Sequence, residues 1–154
     1  MGRLMFAIVD FAARKGLSDP EDGEDTPKHR ARRTGVRGET YAYWYLRRHG
    51  YVMVARNFTS PGIKGEIDLI GYDAGVLAFV EVKTRSEPAP GQPRPEDAVN
   101  WEKRRNLSRM ARQFLRSRRV ESAACRFDVL AIETQPNRKP IVRLHKGAFN
   151  AGAR

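Results

Sequence analysis

Glu81 and Lys83 stand two positions apart in Leu77-Ala-Phe-Val-Glu-Val-Lys83, an otherwise apolar run suited to a buried central strand. Strand side chains alternate, so both project from one face. Charges in such a run cost several kcal/mol unless they are paired, hydrogen-bonded or bound to a metal. Asp68 precedes them in a second β-rich run, Gly65-Glu-Ile-Asp-Leu-Ile-Gly-Tyr72, joined to the first by Asp73-Ala-Gly75. If Ala74 and Gly75 form a two-residue turn, Asp68 lies opposite Glu81 and Glu66 opposite Lys83. Two adjacent carboxylates repel, and a divalent cation relieves the repulsion. Mg²⁺ takes oxygen ligands and often only one or two carboxylates, and the Val82 carbonyl is the best placed backbone oxygen to join Asp68 and Glu81. Such an ion activates water and stabilises charge on a phosphodiester, with Lys83 placed to orient that water or neutralise developing charge. A purely structural ion-pair cluster within the sheet is the competing reading.

The elements that must hold these groups can be traced along the chain. Arg37 to His49 is helical in pattern and ends at Gly50, a natural cap. Glu39, Ala42 and Leu46 share one stripe of it, which turns Glu39 toward the sheet as a fourth group beside Asp68, Glu81 and Lys83. A first-turn glutamate complementing the helix dipole is the plainer alternative. Tyr51 to Phe58 alternates as a strand, Ser60-Pro-Gly62 makes a turn, and the hairpin follows. A Pro-rich loop from Glu87 to Pro95 leads to a second helix over about Ala98 to Arg118. Its face Leu107, Met110, Ala111, Phe114 and Leu115 fits the amphipathic template. Cys125 to Ile132 is a buried strand, and Ile141 to His145 adds a short one. The order α-β-β-β-α-β makes an α/β domain with a mixed sheet flanked by helices.

At 154 residues the chain supports one domain, assigned to residues 35–150. Residues 1–34 read as a largely flexible extension: an acidic, Pro/Gly-broken stretch followed by the basic Lys28-His-Arg-Ala-Arg-Arg33, without apolar periodicity. A net charge of +11 and a pI near 10.4 favour an anionic partner, namely nucleic acid, an acidic protein or a membrane surface. No stretch approaches the ~20 apolar residues of a membrane span. The run Leu4 to Val9 is broken by Asp10 and lacks a small-residue cleavage site, so no signal peptide is expected. A single cysteine, Cys125, excludes a disulfide framework and is expected to be a buried thiol, which points to the cytoplasm. His29, His49 and His145 are scattered, without zinc spacing, and neither a Walker-type phosphate loop nor a serine nucleophile elbow occurs.

The basic residues have a pattern of their own. Arg105, Arg109, Arg112 and Arg116 fall opposite the apolar face of the second helix and would suit a phosphate backbone. A merely solvated face is the alternative. Lys103 lies on the inward side, toward the edge of the carboxylate site, and Arg85 follows the Glu-Val-Lys strand as a phosphate contact near the metal. Trp101 reads first as core packing or helix-end cover and second as a base-stacking residue.

Gly38-Glu39-x-x-Ala42-x-x-x-Leu46-x-x-x-Gly50-Tyr51 resembles the opening of the uncharacterised bacterial YraN family. The likeness continues through Arg56-Asn57, Gly65-Glu-Ile-Asp-Leu-Ile70, Phe79-Val-Glu-Val-Lys-Thr-Arg85, Val99 with Lys103, and Arg126-Phe-Asp-Val-Leu130, covering about residues 35 to 147. That family is similar in fold to archaeal Holliday junction resolvases, within the PD-(D/E)xK superfamily of restriction-endonuclease-like nucleases. The resemblance implies Asp68 and Glu81 as metal carboxylates for Mg²⁺ or Mn²⁺, Lys83 as catalytic lysine and Glu39 as the helix acid. Ile67 replaces the proline of the superfamily's name motif. The expected function is a metal-dependent endonuclease that selects branched or damaged DNA by structure. The alternatives are a non-catalytic nucleic-acid-binding protein on the same fold and a basic adaptor for an acidic protein. A resolvase-like mode would need two sites and hence a homodimer.

Overall fold

The computed structural model describes residues 27–86, 91, 97 and 100–149, with side chains from residue 34 onward. Its elements are α1 (Pro27–Arg48), β1 (Val52–Ser60), β2 (Ile63–Asp73), β3 (Val76–Ser86), α2 (Trp101–Arg118), β4 (Cys125–Thr134) and β5 (Ile141–Phe149). The strands form one five-stranded sheet in the order β1-β2-β3-β4-β5. Neighbours are antiparallel except β3 and β4, which run parallel and are connected through α2. This is the mixed sheet between helices that the element order predicts.

Two apolar layers hold it together. On one face Leu107, Met110, Ala111, Phe114 and Leu115 of α2 pack with Ile67, Ile70, Leu77, Phe79, Phe127 and Val129. The predicted helix face is thus the observed one. On the other face Tyr41, Ala42 and Leu46 of α1 pack with Tyr51, Leu69, Ala78, Val80, Leu130 and Ile132. Period-2 alternation sends Leu77 and Phe79 to α2 and Ala78 and Val80 to α1, so β3 is apolar on both sides.

The β2–β3 turn sets the register on which the site depends. Ala74 (φ 48°) and Gly75 (φ 84°) are both left-handed, as a type I′ turn requires. The paired residues run from Asp73↔Val76 to Leu69↔Val80, the register expected from the sequence.

Several elements differ from expectation. The first helix starts at Pro27, well before Arg37, and absorbs the basic segment assigned to the flexible extension. Proline suits a first helical position, and Ala and Arg are good helix formers, so propensity extends the helix beyond its amphipathic part. The expected short helix over residues 4 to 14 and the acidic stretch lie outside the described residues. The second helix starts at Trp101 with Asn100 as its cap, whose side chain accepts from Lys103 N–H (3.0 Å). The last strand extends to Phe149, whose ring stacks on Phe127. Cys125, expected to be buried, is exposed, because β4 enters the core only from Phe127 onward.

The hairpin-turn end of the sheet is closed by polar groups. Asp128 is 0% exposed and accepts from Tyr51 Oη (3.2 Å), Arg126 Nε (2.9 Å) and Gly147 N–H (2.9 Å). Arg126 also donates to Asp73, which accepts from Lys146 (2.7 Å). Burial, with the nearby Asp128 and Asp73 charges, pushes the Tyr51 hydroxyl above its ordinary range, so it stays a neutral donor. One cluster thereby ties the end of α1 to β2, β4 and β5. Arg126→Met should leave Asp128 buried without its charged partner and lower stability by roughly 3 kcal/mol. Urea unfolding measures this, and a loss under about 1 kcal/mol would show that the cluster contributes little.

Candidate active site

The site forms where β2 and β3 part. The regular pairing stops at Leu69↔Val80, one pair short of Asp68 and Glu81. Beyond it, Val82 N–H donates to Asp68 Oδ2 (2.7 Å), so a side chain stands in for a strand partner. Asp68 is 7% exposed and Glu81 4%. Glu81 continues the row of Leu77 and Phe79 and so faces α2. There its Oε1 meets Lys83 Nζ (2.9 Å) and Lys103 Nζ (3.2 Å). Its Oε2 is buried and has no hydrogen-bond partner.

The opposite layer delivers Glu39. Gly38, one residue earlier, lies against β3 so closely that a Cβ there would stand 1.9 Å from Thr84 Oγ1. Only glycine lets α1 approach to this depth. In β1, Asn57 has a left-handed backbone (φ 47°). That conformation interrupts the alternation and re-aims the side chain, whose Nδ2 donates to Glu39 Oε2 (2.9 Å). Held this way, Glu39 brings a carboxylate oxygen within 4.8 Å of one from Glu66 and one from Asp68.

The tightest carboxylate trio is therefore Glu39, Glu66 and Asp68, with Glu81 beside Asp68 but engaged by lysines. Glu66 was placed opposite Lys83 from the sequence but given no role. Its two-residue spacing from Asp68 on an extended strand is the signal that marks it. Asn57 as the holder of Glu39 has no local signature in the sequence. Lys103, expected at the edge of the site and on nucleic acid, reaches the centre through Glu81. Val82 takes part through its N–H. Arg85 is half-buried near the end of β3, and its carbonyl accepts from Thr134 Oγ1 (3.3 Å). Arg105, Arg109, Arg112 and Arg116 are all exposed on α2. Trp101 is 72% exposed, which overturns its reading as a core residue.

The electrostatics follow from this crowding. Burial first, and then the Glu81 charge, push Asp68 up to about 7, with Glu39 adding to the rise; the Val82 N–H and Lys103 pull it back. An all-oxygen donor set under mutual repulsion, with a partnerless buried oxygen on Glu81, fits a hard divalent cation such as Mg²⁺ or Mn²⁺. Glu39, Glu66, Asp68 and Glu81 are the groups that could hold it.

Two outcomes are expected from this geometry. Gly38→Ala should force α1 off β3 and destabilise the fold by about 1–3 kcal/mol, as overpacking does. Adding Thr84→Ala, which removes the nearest atom, should restore part of the loss in urea unfolding. The second concerns pH. The folded chain holds the Asp68 proton more tightly than the unfolded chain, because the folded-state value of about 7 exceeds the ordinary 3.8. Its contribution to stability is complete below about pH 4 and is lost as pH rises through about 7. In EDTA, the thermal midpoint of the wild type should fall over that window relative to Asp68→Asn. Parallel curves for the two proteins would refute the assignment.

Comparison with known proteins gives the chain its relatives. Residues 38–132 match the family described as uncharacterised protein family UPF0102. A UPF0102 protein of Koribacter versatilis is 43% identical over 125 residues, covering 81% of this chain and 83% of that protein. Another, of Symbiobacterium thermophilum, is 43% identical over 121 residues, 79% of this chain and 99% of that one. A third, of Solibacter usitatus, is 45% identical over 112 residues, 73% of this chain and 82% of that one. The matched span runs from the glycine that seats α1 to the fourth strand, and includes every carboxylate of the site. The chain belongs to the uncharacterised family UPF0102, the YraN family that its motifs resemble.

Proposed function

We propose that this protein is a metal-dependent endonuclease that hydrolyses phosphodiester bonds in DNA, selecting its substrate by structure rather than sequence. The observation that carries the reading is the meeting of Glu39, Glu66 and Asp68 within 4.8 Å, beside a buried Glu81 that is paired with Lys83. A pure binding protein gains nothing from negative charges gathered where a phosphate must approach, since they oppose it. A divalent cation held by these carboxylates would neutralise that repulsion and lower the pKa of a coordinated water. Mg²⁺ and Mn²⁺ both suit the donor set.

The chain's own groups have separable tasks in this proposal. Asp68 is fixed by the Val82 N–H and is shared between the trio and Glu81. In an extended strand the N–H and C=O of one residue point to the same edge, so the Val82 carbonyl is directed to the β2 side as a further oxygen. Lys83, partly exposed, brings an ammonium beside Glu81 and can turn to a phosphate oxygen. Lys103 keeps Glu81 oriented from α2. Arg85 stands one alternation beyond Lys83 on the same strand, placed for a flanking phosphate. Among the described residues no base-reading element accompanies the site, which favours recognition of branched or damaged DNA by shape. Among the described residues no helix is long and apolar enough to cross a membrane. A single thiol fits a reducing, cytoplasmic setting. A cut across two strands would call for two copies of this one-site chain.

The test is cleavage of labelled single-stranded, duplex, flapped and four-way-junction DNA with Mg²⁺, Mn²⁺ or EDTA. Cleavage should require the cation and fall at least about a hundredfold in Asp68→Asn and in Lys83→Ala. Binding has its own readout: the cation should raise the thermal midpoint of the wild type and not of Asp68→Asn. Absence of cutting on every substrate, or equal cutting by the variants, would refute the activity.

A further inference from the structure

The two sets of cations on α2 behave differently. Arg104 lies over the Phe149 ring (5.2 Å) and Arg118 over the Phe114 ring (5.5 Å), so these two cover core aromatics. Lys103 is paired with Glu81. Arg105, Arg109, Arg112 and Arg116 are exposed, and no carboxylate among the described residues pairs with any of them. Trp101 heads the same stripe: steps of four, four, three and four residues link it to the four arginines, so all five share one face. Its ring is 72% exposed and makes no ring contact among the described residues. It precedes Lys103 by two residues, so the two side chains leave α2 on opposite sides, Lys103 toward Glu81 and Trp101 toward the outer face.

We propose that this face is a track for single-stranded nucleic acid, with Trp101 stacking on an unpaired base and the four arginines following the phosphates. A large exposed indole gains by being covered, and the face of a base is the apolar surface that comes with a row of negative charges. The stripe is about 22 Å long, enough for several consecutive phosphates. The net charge of +11 gives the same sign preference over a longer range. An acidic protein would satisfy the arginines but supplies no repeated planar partner for the indole. A blunt duplex offers phosphates but keeps its base faces stacked inside. The track does not rest on the nuclease reading above.

The experiment uses the full chain with Trp44→Phe, which leaves Trp101 as the one indole, and Asp68→Asn in EDTA so that nothing is cut. A short oligothymidylate should quench Trp101 emission. Trp101→Ala, followed by a labelled oligonucleotide, should weaken that binding by at least about fivefold and change binding of a blunt duplex of equal length by less than twofold. Arg109→Gln with Arg112→Gln should reduce the salt slope of oligothymidylate binding by roughly 1.4. Both sites are exposed, and an unchanged urea midpoint confirms that the variants fold. Absence of quenching, equal losses for strand and duplex, or polyglutamate binding with matching affinity would overturn the proposal. Quenching without cleavage of any DNA by the wild type with cation would leave the track standing and refute only the nuclease reading. Cleavage without quenching would do the reverse.

Discussion

The hydrogen bond from Val82 N–H to Asp68 Oδ2 replaces a ladder bond at the point where β2 and β3 separate. An antiparallel pair that ends inside a protein leaves backbone donors in a place that water does not reach, and each must find a partner. Here the partner is a carboxylate, which has lone pairs to spare after accepting one N–H. The parting strands thus create the need that fixes Asp68. The same carboxylate has the capacity to do something else. Glu39 from one layer and Glu81 from the other both act on Asp68 at the gap where the strands part. Gly38 and Asn57 are subordinate to that meeting: one lets α1 descend and the other holds its glutamate in place.

A centre of four acids, with Asp68 and Glu81 buried and Glu39 and Glu66 half-buried, would be hard to fold without compensation. Lys83 and Lys103 supply part of it by converging on one oxygen of Glu81. Asp68 accounts for another part by retaining its proton more readily than a solvated carboxyl does. These two devices are different in kind. Lysine pairing orients Glu81, whereas proton retention makes Asp68 sensitive to any cation that competes for the same oxygens. A stable fold and the carboxylate cluster are therefore not in conflict, because the groups that relieve the repulsion are ones that can move or exchange.

Much of this was legible in the sequence, for reasons that differ by residue. The hairpin register could be read because a two-residue turn admits one register, and the alternation then puts Asp68 beside Glu81. The apolar face of α2 could be read because its period is unbroken over three turns. Glu66 was visible but unassigned: spacing places it near Asp68, yet only the descent of α1 turns that neighbourhood into a trio. Asn57 was illegible, since a left-handed residue in mid-strand is set by what it must reach. The true start of α1 was missed because its first turns lack an apolar stripe, and propensity alone extends them. Cys125 was misjudged because strand patterning does not say at which residue the strand enters the core. Trp101 was misjudged because hydrophobicity argues for burial, while its place in the helix stripe argues for exposure, and the stripe won.

That outcome bears on how the basic charge is divided. Lys83 and Lys103 face the carboxylate Glu81, and Arg105, Arg109, Arg112 and Arg116, without carboxylate partners among the described residues, face outward along α2. Lysine is a flexible point charge that can leave a carboxylate for a phosphate oxygen without a fixed geometry. Arginine offers a planar fork that suits repeated phosphate contacts at a surface. Had the two been exchanged, a guanidinium at Glu81 would favour a rigid two-point pair and resist rearrangement, and outward lysines would hold phosphates by charge alone. In the proposed nuclease this distribution would separate the grasping of a polyanion from the management of charge at the reacting bond. It would do so on one helix, with Lys103 turned to the site and the stripe from Trp101 to Arg116 turned away from it.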